Sequence, residues 1–103
     1  MTLRSTAVTL PVANPLDLSI YFRVNDVDTV VNGTDRVIKA SIDGGTTWAT
    51  GTITEVGAYG SSDKLIRADV DVSAQTGSSF VWEVTTANAK EQQITQVASV
   101  PGY

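Results

Sequence analysis

The groups in this chain able to do chemistry are carboxylates, hydroxyls and a few aromatic rings. Histidine and cysteine are both absent. That removes the commonest general base, the thiol nucleophile, the Ser–His–Asp and Cys–His triads, every His or Cys zinc site and thiolate-held iron–sulfur clusters. Two options remain: hard-cation binding by Asp oxygens, and acid–base work by paired carboxylates. Asp26-x-Asp28 with Asp35, and separately Asp69-x-Asp71, carry oxygens at a spacing that can start a calcium cage. The same residues flank turns or alternate along a strand, where Asp marks a wet face. No closing Glu follows them as in an EF-hand, so no metal and no other cofactor is expected. Glycoside hydrolysis needs two carboxyl groups across one cleft. Glu55, Glu83 and Glu91 are the only glutamates, and their spacing places no two together. No catalytic residue is assigned, and a non-enzymatic protein is expected. Gly44-Gly45 and Gly57-x-x-Gly60 precede neither a helix nor a Lys, so they are turns rather than phosphate cradles.

Aromatic side chains suggest a different use. Tyr21, Trp48, Tyr59 and Trp82 could form a sugar-binding platform, as in a carbohydrate-binding module or a receptor-binding adhesin domain. Trp82 alternates with Phe80 and Val84, which makes the core its expected home. Tyr21 and Tyr59 are left as the exposed pair. Nucleic acid is not an expected partner. The net charge is −4, and the basic residues Arg4, Arg23, Arg36, Lys39, Lys64, Arg67 and Lys90 are scattered without a phosphate-neutralising cluster. The same scatter argues against anionic membrane surfaces.

The elements that must position these residues are strands. The 103 residues suit one domain, and 17% charged residues is too few for a disordered polyelectrolyte. No apolar run approaches the ~20 residues of a membrane-spanning helix, and no signal peptide follows the first residues. Thr and Val dominate, and β-branched side chains suit a pleated surface. Alternation then recurs with a period of two. Leu16, Leu18, Ile20, Phe22 and Val24 share one face against Asp17, Ser19, Tyr21 and Arg23. Residues 5–12 form a weaker first strand closed by Pro11 and Pro15. Asp28 to Val31 is a short candidate, ended by the turn-forming Asn32-Gly33. Residues 36–42 point Ile38, Ala40 and Ile42 one way, Asp43-Gly44-Gly45 turns, and 47–56 returns as one Thr-rich strand. A polar loop spans 57–63. Lys64 to Val72 alternates Ile66, Ala68, Val70 and Val72 against Leu65, Arg67, Asp69 and Asp71. Gln75-Thr76-Gly77 turns, Ser79 to Thr86 carries Phe80, Trp82 and Val84, 87–90 turns, and 91–100 is the last strand. Seven to eight short strands with turns every ~8–12 residues predict an all-β, immunoglobulin-like antiparallel β-sandwich. Residues 1–15 are an N-terminal strand or candidate arm, and 16–103 form the single sandwich domain.

One motif stands out. Ser41-Ile42-Asp43-Gly44-Gly45-Thr46-Thr47-Trp48 resembles the Asp box, Ser-x-Asp-x-Gly-x-Thr-Trp, of sialidases and other β-propellers. Its physics is that of a hairpin turn. The Asp carboxylate accepts backbone N–H bonds, Gly45 takes a conformation other residues resist, and Thr47 and Trp48 pin the returning strand. A single box cannot build a propeller, and the sialidase catalytic set is missing, so Ser41, Asp43, Gly45, Thr47 and Trp48 are assigned a structural role. A Thr/Val-rich sandwich without Cys or His and with this hairpin is similar in style to the immunoglobulin- or fibronectin-III-like accessory domains of tailed-bacteriophage virions. That resemblance implies a capsid decoration (cement) protein or a small neck or tail component. It would be made in the host cytoplasm and carried in the virion, where it would contact the major capsid protein, other virion proteins or copies of itself. Leu3, Arg4, Tyr21, Tyr59 and Tyr103 are the candidate contact residues, and the two chain ends are the candidate contact segments.

Overall fold

The computed structural model describes residues 2–26, 30–59, 63–87 and 92–103, apart from the side chains of Tyr59 and Gln92. Among the described residues nine strands follow in chain order: β1 (Thr2–Arg4), β2 (Val8–Thr9), β3 (Asp17–Asp26), β4 (Arg36–Ser41), β5 (Ala49–Thr50), β6 (Thr52–Tyr59), β7 (Asp63–Asp71), β8 (Ser79–Thr86) and β9 (Gln92–Gly102). They form two antiparallel sheets. One has the order β1-β8-β4-β5, with β2 also pairing β8, and the other has the order β6-β7-β3-β9. The expected antiparallel β-sandwich is therefore present.

The alternating residues close the space between the sheets. Leu18, Ile20, Phe22 and Val24 of β3 are buried opposite Val70, Ala68, Ile66 and Lys64 of β7. Ile38 and Ala40 of β4, with Ile42 just beyond it, and Phe80 and Val84 of β8 supply the facing layer. Trp82 packs against this core, with its ring edge-on to Phe22 at 5.1 Å and 87°. Such T-shaped contact suits the ring quadrupoles.

The inner strands follow the constant-type immunoglobulin order, with β3-β7-β6 standing for B-E-D and β4-β8 for C-F. The margins are exchanged. The first strands lie beside β8, where that fold places its last strand, and β9 lies beside β3, where that fold places its first. In place of the expected strand over 5–12, the candidate arm supplies two short edge strands on β8, at 2–4 and 8–9. Leu10 and Asn14 continue the attachment by donating to Ser78 O and Gly77 O at 2.7 and 2.9 Å.

Several boundaries differ from the sequence reading. Residues 47–56 are not one strand, because the chain changes sheets at Gly51. β5 pairs with β4, and β6 pairs with β7. A Cβ at Gly51 would meet Val70 Cγ2 at 2.8 Å and Ile38 O at 3.3 Å, so the crossing requires a residue without a side chain. The polar loop is shorter than expected, since β6 runs on to Tyr59 through a register shift between Glu55 and Gly57. Leu16 lies outside β3 and is exposed. Val30 and Val31 are not in a strand. Val31 O accepts from Thr34 and Asp35 N in the turn around Gly33, whose φ is +89°. Asp28 and residues 88–90 of the expected turn lie outside the described residues.

The end of β4 is tied to the segment after β7. Gln75 is buried, and its Oε1 accepts from Ile42 N at 2.8 Å. Gly77, at φ +149°, passes so close to Ile42 that an added Cβ would lie 2.3 Å from the carbonyl oxygen. Backbone cannot yield as a flexible side chain can. Gly77→Ala should lower unfolding free energy by about 2 kcal/mol or more, read as a reduced denaturation midpoint at unchanged m-value.

Candidate interaction surface

The two long sides of the sandwich are built differently. On one side the chain itself closes the gap by crossing at Gly51. On the other, the edges β1/β2 and β9 belong to different sheets and leave a groove of about 710 Å³ between them. Leu3 and Val8 face inward, because their register partners are the core residues Val84 and Phe80. They nevertheless remain 36% and 55% exposed, because they line the groove. Phe80 and Trp82 form the floor, and Ile94 and Gln96 the opposite wall. The mouth is kinked open between β1 and β2. There Ser5 N donates to Trp82 O at 3.0 Å, and Ser5 Oγ accepts from Trp82 N at 2.9 Å, so a side chain replaces one ladder bond.

β9 borders this groove and has a second property. Among the described residues it pairs with β3 alone, and none of its eleven residues is charged. Val97 and Val100 are about half exposed, at 51% and 54%.

The Asp-box segment forms a tight hairpin between β4 and β5. Asp43 Oδ1 accepts from Thr46 N at 3.1 Å and Thr47 N at 2.8 Å, and lies 2.6 Å from Ser41 Oγ. Ser41 Oγ in turn accepts from Gly45 N at 3.0 Å. Gly44 and Gly45 take φ of +76° and +97°, and the Gly45 Cα passes close over the Trp48 indole. The Ser41 hydroxyl and then the Thr47 amide hold the Asp43 carboxyl down at about 2. The outer face of Trp48 is covered by the Arg4 guanidinium at 4.9 Å, and Arg4 also pairs with Glu83 at 2.5 Å. All five motif residues are thus engaged in holding the turn.

Arg36 is the residue that the sequence reading missed. It shares the parity of Ile38, Ala40 and Ile42, so it points into the sandwich, and it is fully buried. Asn32 Oδ1 accepts from its Nε and Nη2 at 3.0 and 2.6 Å, and Asp26 Oδ1 from its Nη1 at 2.8 Å. Lys64 lies 3.0 Å from the other Asp26 oxygen and 2.7 Å from Glu55. Of the calcium candidates, Asp28 lies outside the described residues, and the other four each have a partner. Asp26 faces two cations, and Asp35 accepts from Val31 N at 2.9 Å. Asp69 accepts from Ser19 and Arg67, and Asp71 from Ser73 N. Among the described residues no three acidic side chains gather to hold a metal.

The candidate contact residues do not converge. Leu3 and Arg4 border the groove. Tyr21 lies on the outer face of the other sheet, between Arg67 and Ala98 in register. Tyr103 is exposed at the chain end, where its hydroxyl donates to Val12 O. The Tyr59 side chain lies outside the described residues. Of the aromatic platform, Trp82 packs on the core, Trp48 sits beneath Arg4, and Tyr21 belongs to the opposite sheet. Glu55 and Glu83 are likewise on different sheets, each bonded to a cation. No protein-family model matches this chain, and neither the curated proteins nor the solved structures yield a match.

Two outcomes follow. The lowered Asp43 value stabilises the fold above its unfolded value of 3.8, and the gain is lost as pH falls through about 2. Asp43→Asn should therefore be less stable than the parent at neutral pH, and the difference should shrink between those two values in thermal melts across pH. Removing Arg36 leaves the Asp26 carboxylate without its buried partner, so Arg36→Ala should cost about 3–5 kcal/mol in denaturant titration.

Proposed function

We propose that this chain is a non-enzymatic structural protein of a virion, a capsid decoration protein or small neck or tail component of a tailed phage, working through protein–protein contacts. The observation that carries the reading is the open side of the sandwich. An apolar groove and a long, uncharged strand edge lie side by side there, on a molecule whose other edge strands are shorter. Exposed apolar surface of this kind marks association sites, and a free strand edge presents main-chain donors and acceptors to a partner strand. The phage assignment rests on the resemblance of composition and hairpin motif described above. The hairpin and inner faces have structural work to do, which leaves surfaces rather than a reaction centre for biology. The sugar-binding reading draws no support from the described rings, because Trp48 is covered, Trp82 is packed on the core and Tyr21 is on the other sheet.

Purified protein should bind heads or tails of the virus that encodes it in co-sedimentation. Leu3→Asp and Val8→Asp should each weaken that binding by about tenfold or more, because each places a charge in the apolar groove. Failure to bind either particle, with the protein folded, would remove the virion reading.

A further inference from the structure

We infer that Lys64 and Asp26 condense into an intramolecular amide, with Glu55 as the proton carrier and Arg36 as the group that polarises the carboxyl. The inference is independent of the contact surface on the open side. Among the described residues, these four charged side chains gather at one end of the layer between the sheets. Alternation puts them there. Lys64 pairs in register with buried Val24, and Glu55 with buried Ile66. Asp26 lies two residues beyond Val24 on β3, and Arg36 two before Ile38 on β4.

The contact between amine and carboxyl is unlike an ordinary ion pair. The Asp26 side chain is only 9% exposed, and its Oδ2 is buried without an aligned hydrogen bond. A buried polar atom left in that state is uncommon and calls for a reason. Lys64 Nζ is nonetheless 3.0 Å from it. The aligned bond from that amine goes to Glu55 Oε1 at 2.7 Å. The nitrogen thus rests against one carboxyl group while a second carboxylate holds its proton. On the far oxygen, Arg36 Nη1 donates to Asp26 Oδ1 at 2.8 Å. These are the parts of an acyl transfer: a nucleophile in contact, a base, and a cation at the oxygen where charge develops. The pairs Arg4–Glu83, Arg23–Asp63 and Arg67–Asp69 lack them, because a guanidinium stays protonated and is no nucleophile.

The atoms balance without a further reactant. Glu55 holds Lys64 above the ordinary lysine value, so the amine starts as an ammonium with three protons. Glu55 takes one of them, and the nitrogen attacks Asp26 Cγ. A C–N bond forms and the Cγ–Oδ2 bond breaks. Oδ2 leaves as water, with one proton returned by Glu55 and one from the nitrogen. The last proton stays on the amide nitrogen. Oδ1 becomes the amide oxygen and keeps its bond from Arg36. Burial supplies the driving force. In bulk water an ammonium and a carboxylate are well solvated, whereas a buried pair has lost that solvation and a neutral amide has little to lose. The product is a covalent link between the neighbouring strands β3 and β7.

Intact-mass spectrometry of the purified full chain tests this. The parent should be lighter than its sequence mass by one water, and a digest should contain a branched peptide joining Asp26 to Lys64. Lys64→Arg keeps the charge but not the nucleophile, and should have its full sequence mass. Glu55→Gln changes an exposed side chain, so its circular dichroism should match the parent while condensation slows by roughly tenfold or more. A parent at full sequence mass after prolonged incubation overturns the inference. A water loss that persists in Lys64→Arg also overturns it, because dehydration at Asp43-Gly44 then accounts for the loss. Equal condensation in Glu55→Gln and the parent overturns the role given to Glu55. Particle binding reads the contact surface separately. An uncondensed parent that binds virus particles removes the amide and keeps the virion reading, and a condensed parent that binds none does the reverse.

Discussion

Every second side chain of the central strands must enter one shared layer, and the rest of the molecule is arranged around that constraint. β3 and β7 send Leu18, Ile20, Phe22, Ile66, Ala68 and Val70 inward, while β4 and β8 send Ile38, Ala40, Phe80 and Val84 to meet them. Two sheets pack only ~10 Å apart, so anything crossing between them must be thin or fully paired. Gly51 meets the first condition at the crossing. Arg36 meets the second, because the same parity that buries Ile38 buries its guanidinium, and Asn32 and Asp26 satisfy it. Gln75 is a smaller case, a buried amide bonded to the backbone at the end of β4.

The same constraint explains why one side stays open. The first and last strands lie on different sheets, and neither reaches across to the other. Leu3 and Val8 obey the alternation and point inward, yet stay partly exposed in the groove. An apolar face oriented by the fold but not covered by it is available to a partner. The outer face of the β3 sheet is of another kind. Asp17, Arg23, Arg67, Asp69 and Asp71 give it mixed charge, as on an ordinary wet surface.

Local chemistry was legible in the residues, and long-range chemistry was not. The alternation in β3 and β7 is visible because each strand is half buried, so its pattern needs no knowledge of its neighbours. The 41–48 hairpin is legible for a related reason: the bonds from Asp43 and Ser41 span at most four residues. The split between β5 and β6 was hidden because Thr-rich sequence on both sides of Gly51 suits either sheet. The lone glycine within a strand pattern was the available signal. Arg36 was hidden by its type, although its spacing from Ile38 marked it as inward-facing. The groove left no local trace, since its walls come from opposite ends of the chain and an unusual exchange of edge strands.

The central claim is that the open side, from β1/β2 to β9, is where this molecule meets its partners. Amide hydrogen exchange compared between the free protein and the protein mixed with particles of the virus that encodes it tests it most directly. Exchange should slow along residues 93–102 and Leu3 to Val8 as particles are added, with β6 unchanged. Slowing confined to β6 and the charged face of β3 and β7, or no change anywhere, would contradict it.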